Sequence, residues 1–156
     1  MTGGSQEQAL KQALKFLSHR SRSAAEVRAK LIEAGFRSTT VESTLRKLRS
    51  LKLLDDEAFA RSFAQARIED RGYGPLRLER ELRQKGIPGS LVGRLLDERF
   101  ARNGGKARAQ ALVEKRFAGK DLSDPKTFSR AAGFLQRRGY RDSVIAEILK
   151  QPIGND

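Results

Sequence analysis

The chain has 156 residues, 38% hydrophobic and 33% charged, with a formal net charge of +13 and no cysteine. Without cysteine there is no disulfide or thiolate metal site, which fits a reducing, cytoplasmic setting. No apolar run approaches the roughly 20 residues of a membrane span, and MTGGSQEQAL lacks the basic start and apolar stretch of a secretory signal.

Taken in chain order, the elements are helical throughout. No sustained alternation marks a strand, and β-branched residues do not cluster. A first helix is expected from about Gln6 to Ser18, with Leu10, Leu14 and Leu17 inward. A second starts at Ser23 and closes before Gly35; a third carries Val41 and Leu45 one turn apart. LLDDEAFARSFAQARIED opens the next, with Asp55 as cap, Glu57 at the positive helix end and Phe59, Phe63 and Ala64 inward. GYGPLRLERELRQKGI follows, entered at Gly74-Pro75 and closed by Gly86; Val92 and Leu96 lie on the helix after it. The last three helices are expected at Lys106–Phe117 (Ala109, Leu112 and Val113 inward), from Asp124-Pro125, and across Ile145 and Leu149.

One pattern recurs three times. Leu31, Gly35, Phe36, Val41 and Leu45 align with Leu82, Gly86, Ile87, Val92 and Leu96, 51 residues on. Leu135, Gly139, Tyr140, Ile145 and Leu149 form a third copy, a further 53 residues on. The physical cause is a helix end. A left-handed glycine at C′ turns the chain so that the next side chain meets the one at C3. The fold class is therefore all-α: three tandem three-helix repeats, residues 1–54 (with a short N-terminal tail), 55–103 and 104–156. Modules of this size are marginal alone and gain by stacking, so the expected molecule is elongated and curved. RNGG at 102–105 is the expected hinge, and AGKDLSD at 118–124 an inserted loop.

LLDDEAFARSF followed by RGYGPLRLERELRQKGI resembles the central signature of the RecX family. SRSAAEVRAKLIEAGF is similar to that family's first module and FLQRRGYRDSVIAEIL to its last, so the resemblance runs from about Leu10 to Leu149. Val27, where leucine is usual, and the short polar tail are departures of detail. The resemblance implies a non-enzymatic regulator of the RecA recombinase that lodges in RecA filaments on single-stranded DNA. It would restrain ATP hydrolysis, strand exchange and repressor cleavage in recombination and the SOS response. The implied partners are the RecA filament and single-stranded DNA, with duplex DNA as a further form; no cofactor, metal or membrane is implied, and a monomer is expected. The alternative is a direct DNA-binding protein built of helix-turn-helix-like repeats.

The charge is uneven: the basic excess is +7 in residues 1–54, +1 in 55–103 and +5 in 104–156. In the nearly neutral middle, charge must be sorted by face. With Leu78 and Leu82 inward, Arg77, Arg80 and Arg83 fall on the far side at about 100° per residue, and Lys85 near the inner edge. Arg77 with Glu81 and Glu79 with Arg83 have pairing spacing; Arg80 has no acidic residue three or four positions away, which makes it the best candidate for a phosphate or a partner carboxylate. Arg46 and Lys47 point away from Val41, Leu45 and Leu48. Arg137 and Arg138 precede Gly139, where they serve either the helix dipole or a ligand. Tyr73, between two glycines, either staples the turn or stacks on a base. GYGP lacks the lysine and hydroxyl of a P-loop. His19 has no nucleophile or base assembled around it, and Asp55-Asp56-Glu57 reads as a helix start rather than a metal site.

Overall fold

A computed structural model of the chain describes residues 4–150, and all regular structure among them is helical. The helices are α1 (Gln6–His19), α2 (Ala24–Glu33), α3 (Ser38–Ser50), α4 (Asp56–Arg71), α5 (Pro75–Gln84), α6 (Gly89–Phe100), α7 (Lys106–Arg116), α8 (Pro125–Arg138) and α9 (Asp142–Lys150). Residues 1–3 of the polar tail and 151–156 of the third expected module lie outside the described residues.

The helices begin where side chains can satisfy their first N–H groups. Ser5 with Gln8, and Ser23 with Glu26, form reciprocal capping boxes. Asp55 accepts the Ala58 N–H at 3.1 Å, and Asp124, just before Pro125, accepts the Thr127 N–H at 3.1 Å. Asp55 thus has the capping role its position suggested.

The three glycine latches share one geometry. Gly35, Gly86 and Gly139 have φ of 94°, 77° and 96°, the left-handed region that favours glycine. The amide after each glycine donates to the C3 carbonyl: Phe36 to Leu31 (3.2 Å), Ile87 to Leu82 (3.1 Å) and Tyr140 to Leu135 (3.1 Å). Each glycine N–H in turn donates to the C2 carbonyl, completing a Schellman motif. The paired side chains are buried in all three copies. At about 1.5–3 kcal/mol per fully buried large apolar side chain, each clasp is a substantial local stabiliser. Lys52 ends α3 in the same way, at φ 60°, without glycine's conformational freedom.

Contacts divide the chain into two compact units. Of the described residues, 4–62 and 82–89 form the first; 63–81 and 90–150 form the second. The middle repeat therefore contributes chain to both.

In the first unit, α1, α2 and α3 pack around Val27, Leu31, Val41, Leu45 and Leu48. The face that α1 turns inward is Ala9 and Ala13, not the leucine stripe: Leu10 and Leu17 are half-buried and Leu14 is 41% exposed. Alanines admit a close approach of α1 to its neighbours, which rotates the larger residues to the rim. The end of α5 docks on the start of α2. Ser23 Oγ donates to the Lys85 carbonyl (2.7 Å), and Lys85 Nζ reaches Glu26 (3.1 Å). A Cβ on Gly86 would lie 2.3 Å from the Ala25 Cβ. Burial pushes the Glu26 carboxyl up, but bonds from the Ser23 N–H, Arg20 and Lys85 outweigh it and hold it below its ordinary range.

In the second unit one cluster gathers Ala64, Ile68, Tyr73 and Leu78, and another gathers Ala109, Val113, Phe134, Leu135, Tyr140 and the inward face of α9. RNGG lies inside this unit. Gly104 and Gly105 have positive φ, and a Cβ on them would press on Val144 (2.8 Å) and on Phe100 and Tyr140 (3.1 Å). These glycines answer to close packing, not to a free hinge.

Gly35 and Gly86, both in the first unit, separate torsional strain from packing. A Cβ on Gly35 would meet nothing within 4 Å. Gly35→Ala should cost about 1 kcal/mol for its backbone conformation alone, and Gly86→Ala a further 1–3 kcal/mol or so for the clash with Ala25. Urea titrations followed by helical circular dichroism measure both; equal losses would show that the docking at Ala25 is not tight.

Candidate nucleic-acid interface

The second unit repeats the docking of a latched helix end on a helix start. The start of α5 leaves N–H groups without partners inside the helix, and the end of α8 leaves carbonyls likewise. They satisfy each other: Gly74 N–H donates to the Arg138 carbonyl (2.7 Å) and Leu76 N–H to the Gly139 carbonyl (2.9 Å). Gly139 has no room for a side chain, since a Cβ would lie 2.4 Å from Arg77. The Tyr140 hydroxyl donates to the Gly72 carbonyl (2.9 Å), and burial pushes its pKa up to about 12.

This junction forms a cleft of about 420 Å³ lined by Leu76, Arg77, Arg80, Gln136, Arg137 and Gly139. Arg77 is anchored at its edge. Its guanidinium bonds Glu81 (3.0 Å) and the Arg137 carbonyl (2.9 Å), and lies 4.2 Å from the centre of the Tyr73 ring. Arg80 is exposed and makes no ion pair or hydrogen bond among the described residues; the Arg137 side chain is exposed as well. The cleft thus presents one fixed cation, Arg77, together with two exposed ones, Arg80 and Arg137. A guanidinium offers a planar fork of donors suited to phosphate or carboxylate.

The other candidates are distributed differently. Tyr73 is 3% exposed, and with Arg77 over its ring it offers no face to a base. It is a staple, not a stacking platform. Arg138 is half-buried, with its guanidinium on the Arg71 carbonyl and 5.0 Å from the Phe134 ring. Lys85 is tied to Glu26. Arg83 is exposed but engaged. Arg46 and Lys47 are exposed on α3, in the first unit, beside the Glu42 that Arg28 binds at 2.8 Å.

Of the sequence candidates, then, the fold brings Arg77, Arg80 and Arg137 to one cleft. Gln136 joins them without having been singled out. Its neighbour Arg137 was the available signal, but nothing in local spacing pairs residue 136 with residue 80.

If Arg80 is free and Arg77 is structural, charge reversal should separate them. Arg80→Glu should change stability by no more than about 0.5 kcal/mol. Arg77→Glu should cost about 1–3 kcal/mol, through lost charged hydrogen bonds and a new like-charge pair with Glu81. Urea denaturation of the two variants measures the contrast, and comparable losses would contradict it.

Three domain models of one family match the chain in order. The first three-helix domain of RecX matches residues 9–48, the second 55–96 and the third 106–149. The regulatory protein RecX of Trichlorobacter lovleyi is 33% identical over 141 residues, covering 89% of this chain and 92% of that protein. A crystal structure of regulatory protein RecX superposes with a TM-score of 0.77 at 28% identity, over 94% of this chain and 71% of that one. The crystal structure of RecX from Lactobacillus salivarius gives 0.80 at 20% identity over 94% and 95%, a likeness of fold.

Proposed function

The chain belongs to the RecX family, and from that membership we propose that it regulates the RecA recombinase by binding rather than by catalysis. The observation that carries this reading is the run of three family domains, in order, across residues 9–149. The target in this reading is the RecA filament on single-stranded DNA, engaged by a monomer in the cytoplasm. Its consequences are slower ATP hydrolysis, strand exchange and repressor cleavage during recombination and the SOS response. The two domain boundaries, at 54/55 and 103/104, are part of the same proposal. Among the described residues no helix is long and apolar enough to cross a membrane.

The cleft between α5 and α8 supports a contact with phosphate or with a partner's carboxylates. Arg80 and Arg137 lie exposed at its edges, and the +13 net charge of the chain adds long-range attraction toward a polyanion. Arg46, Lys47 and Arg83 add exposed cations that strengthen the same attraction.

The deciding experiment is ATP turnover by the cognate RecA on single-stranded DNA, at protein concentrations where naked DNA is barely occupied. The chain should slow turnover, and Arg80→Glu should require roughly tenfold more protein for the same inhibition, about 1.4 kcal/mol of lost binding. Unaffected turnover together with sequence-selective binding to bare duplex would instead identify a direct DNA-binding protein of the helix-turn-helix kind.

A further inference from the structure

A second group of cations surrounds a different cleft, between α7 and α8. Arg116, Lys120, Arg130 and Arg137 line about 240 Å³ of space above Phe117 and Phe134. The two rings meet edge to face at 6.0 Å. All four cations are exposed, and none has a carboxylate partner among the described residues. The nearby acids are committed elsewhere. Asp121 accepts from the Ser123 N–H (2.9 Å) and hydroxyl (2.6 Å). Asp124 caps α8 through Thr127, and Glu114 accepts from Gln110 (3.3 Å). The loop at 118–124 therefore uses its carboxylates to shape itself and leaves the cations uncompensated.

Four like charges around one cleft repel each other, and an apolar floor deepens the field because it screens poorly. Such a cleft concentrates anions. It is also not isolated. Arg137 lines both this cleft and the one between α5 and α8. Arg130 lines both this cleft and a third, beside Pro125, Lys126 and Ser129. Lys126, Arg130 and Arg137 are four and seven residues apart, so they share one face of α8. Gly133 lies between them, and the Arg137 guanidinium comes within 3.1 Å of where its Cβ would be. The stripe from Lys126 to Arg137 is about 16 Å long at 1.5 Å per residue.

We propose that the face of α8 from Lys126 to Arg137, with Arg116 and Lys120 opposite it, is a binding track for the phosphodiester backbone of single-stranded nucleic acid. Successive clefts that share their arginine walls suit a polymer of evenly spaced charges better than a single small anion. The rings of Phe134, buried, and Phe117, half-buried, form the floor and leave the bases to solvent, so the track reads phosphates without base preference. This deepens the reading above, and its test contains no recombinase, so either can fail alone.

The test uses the full chain and a labelled oligo-dT of about 15 nucleotides. Arg116→Glu with Arg130→Glu is compared with Lys11→Glu and Lys15→Glu, two exposed positions on α1 with the same change in charge. Affinity should fall at least about tenfold in the cleft variant, and the slope of log affinity against log salt should shrink by roughly 1.4, about 0.7 for each lost phosphate contact. The α1 variant should retain its slope, and circular dichroism should show both variants folded. Equal losses in the two variants would reduce the effect to net charge and overturn the track. So would unchanged oligo-dT binding, and in that case a selective loss of binding to poly-glutamate would identify an acidic protein surface as the occupant.

Discussion

The constraint on which the structure depends is that helix ends carry unpaired groups and must find partners. Twice in this chain the partner is another helix end. The closing turn of α5 meets the opening of α2, and the closing turn of α8 meets the opening of α5. The donor at position 23 is a serine hydroxyl, while at the equivalent position 74 it is a backbone N–H. The acceptors, the carbonyls of Lys85 and Arg138, are themselves equivalent in the repeat. One geometric solution is thus reached with different chemistry at the donor. Aligned helix dipoles favour the arrangement in both cases.

The candidate interface follows from that constraint. Gly139 can approach Arg77 only because it has no side chain, and that approach lets Arg77 bind the Arg137 carbonyl and sets the spacing of the cleft. Arg77 is used for architecture, and the adjacent Arg80 and Arg137 are left to solvent. A nearly neutral middle segment can therefore still present a concentrated cationic site: its carboxylates are placed where they lock structural arginines, as Glu81 locks Arg77 and Arg67. Local charge is decided by which cations are already paired, and net charge by segment conceals this.

Much of this is legible in the sequence. The five-position repeat located the latches at Gly35, Gly86 and Gly139, because left-handed glycine and its two flanking hydrophobes are a local code; the one at Lys52, without glycine, carries no such signal. Arg80 stood out because pairing along a helix is also local. The position of α1 was misread at Leu14, since a leucine stripe and an alanine stripe lie one residue apart and only the closeness of neighbouring helices chooses between them. Tyr73 could not be decided, because its burial depends on Arg77 and on packing within the second unit. The cleft between α5 and α8 was beyond reach for the same reason. It joins residues some sixty positions apart through helix ends that no periodicity connects.

The three latch glycines look interchangeable as letters, yet they answer to different demands. Gly86 and Gly139 are hemmed in by Ala25 and Arg77, so any substituent collides. Gly35 is held only by its torsion angles, with open space where a side chain would project. Asparagine, which visits left-handed backbone readily, is therefore admissible at Gly35 and at neither of the others. A comparison of natural variants that scored the three positions alike would overrate the first as a marker of kinship and underrate the rigidity of the remaining two.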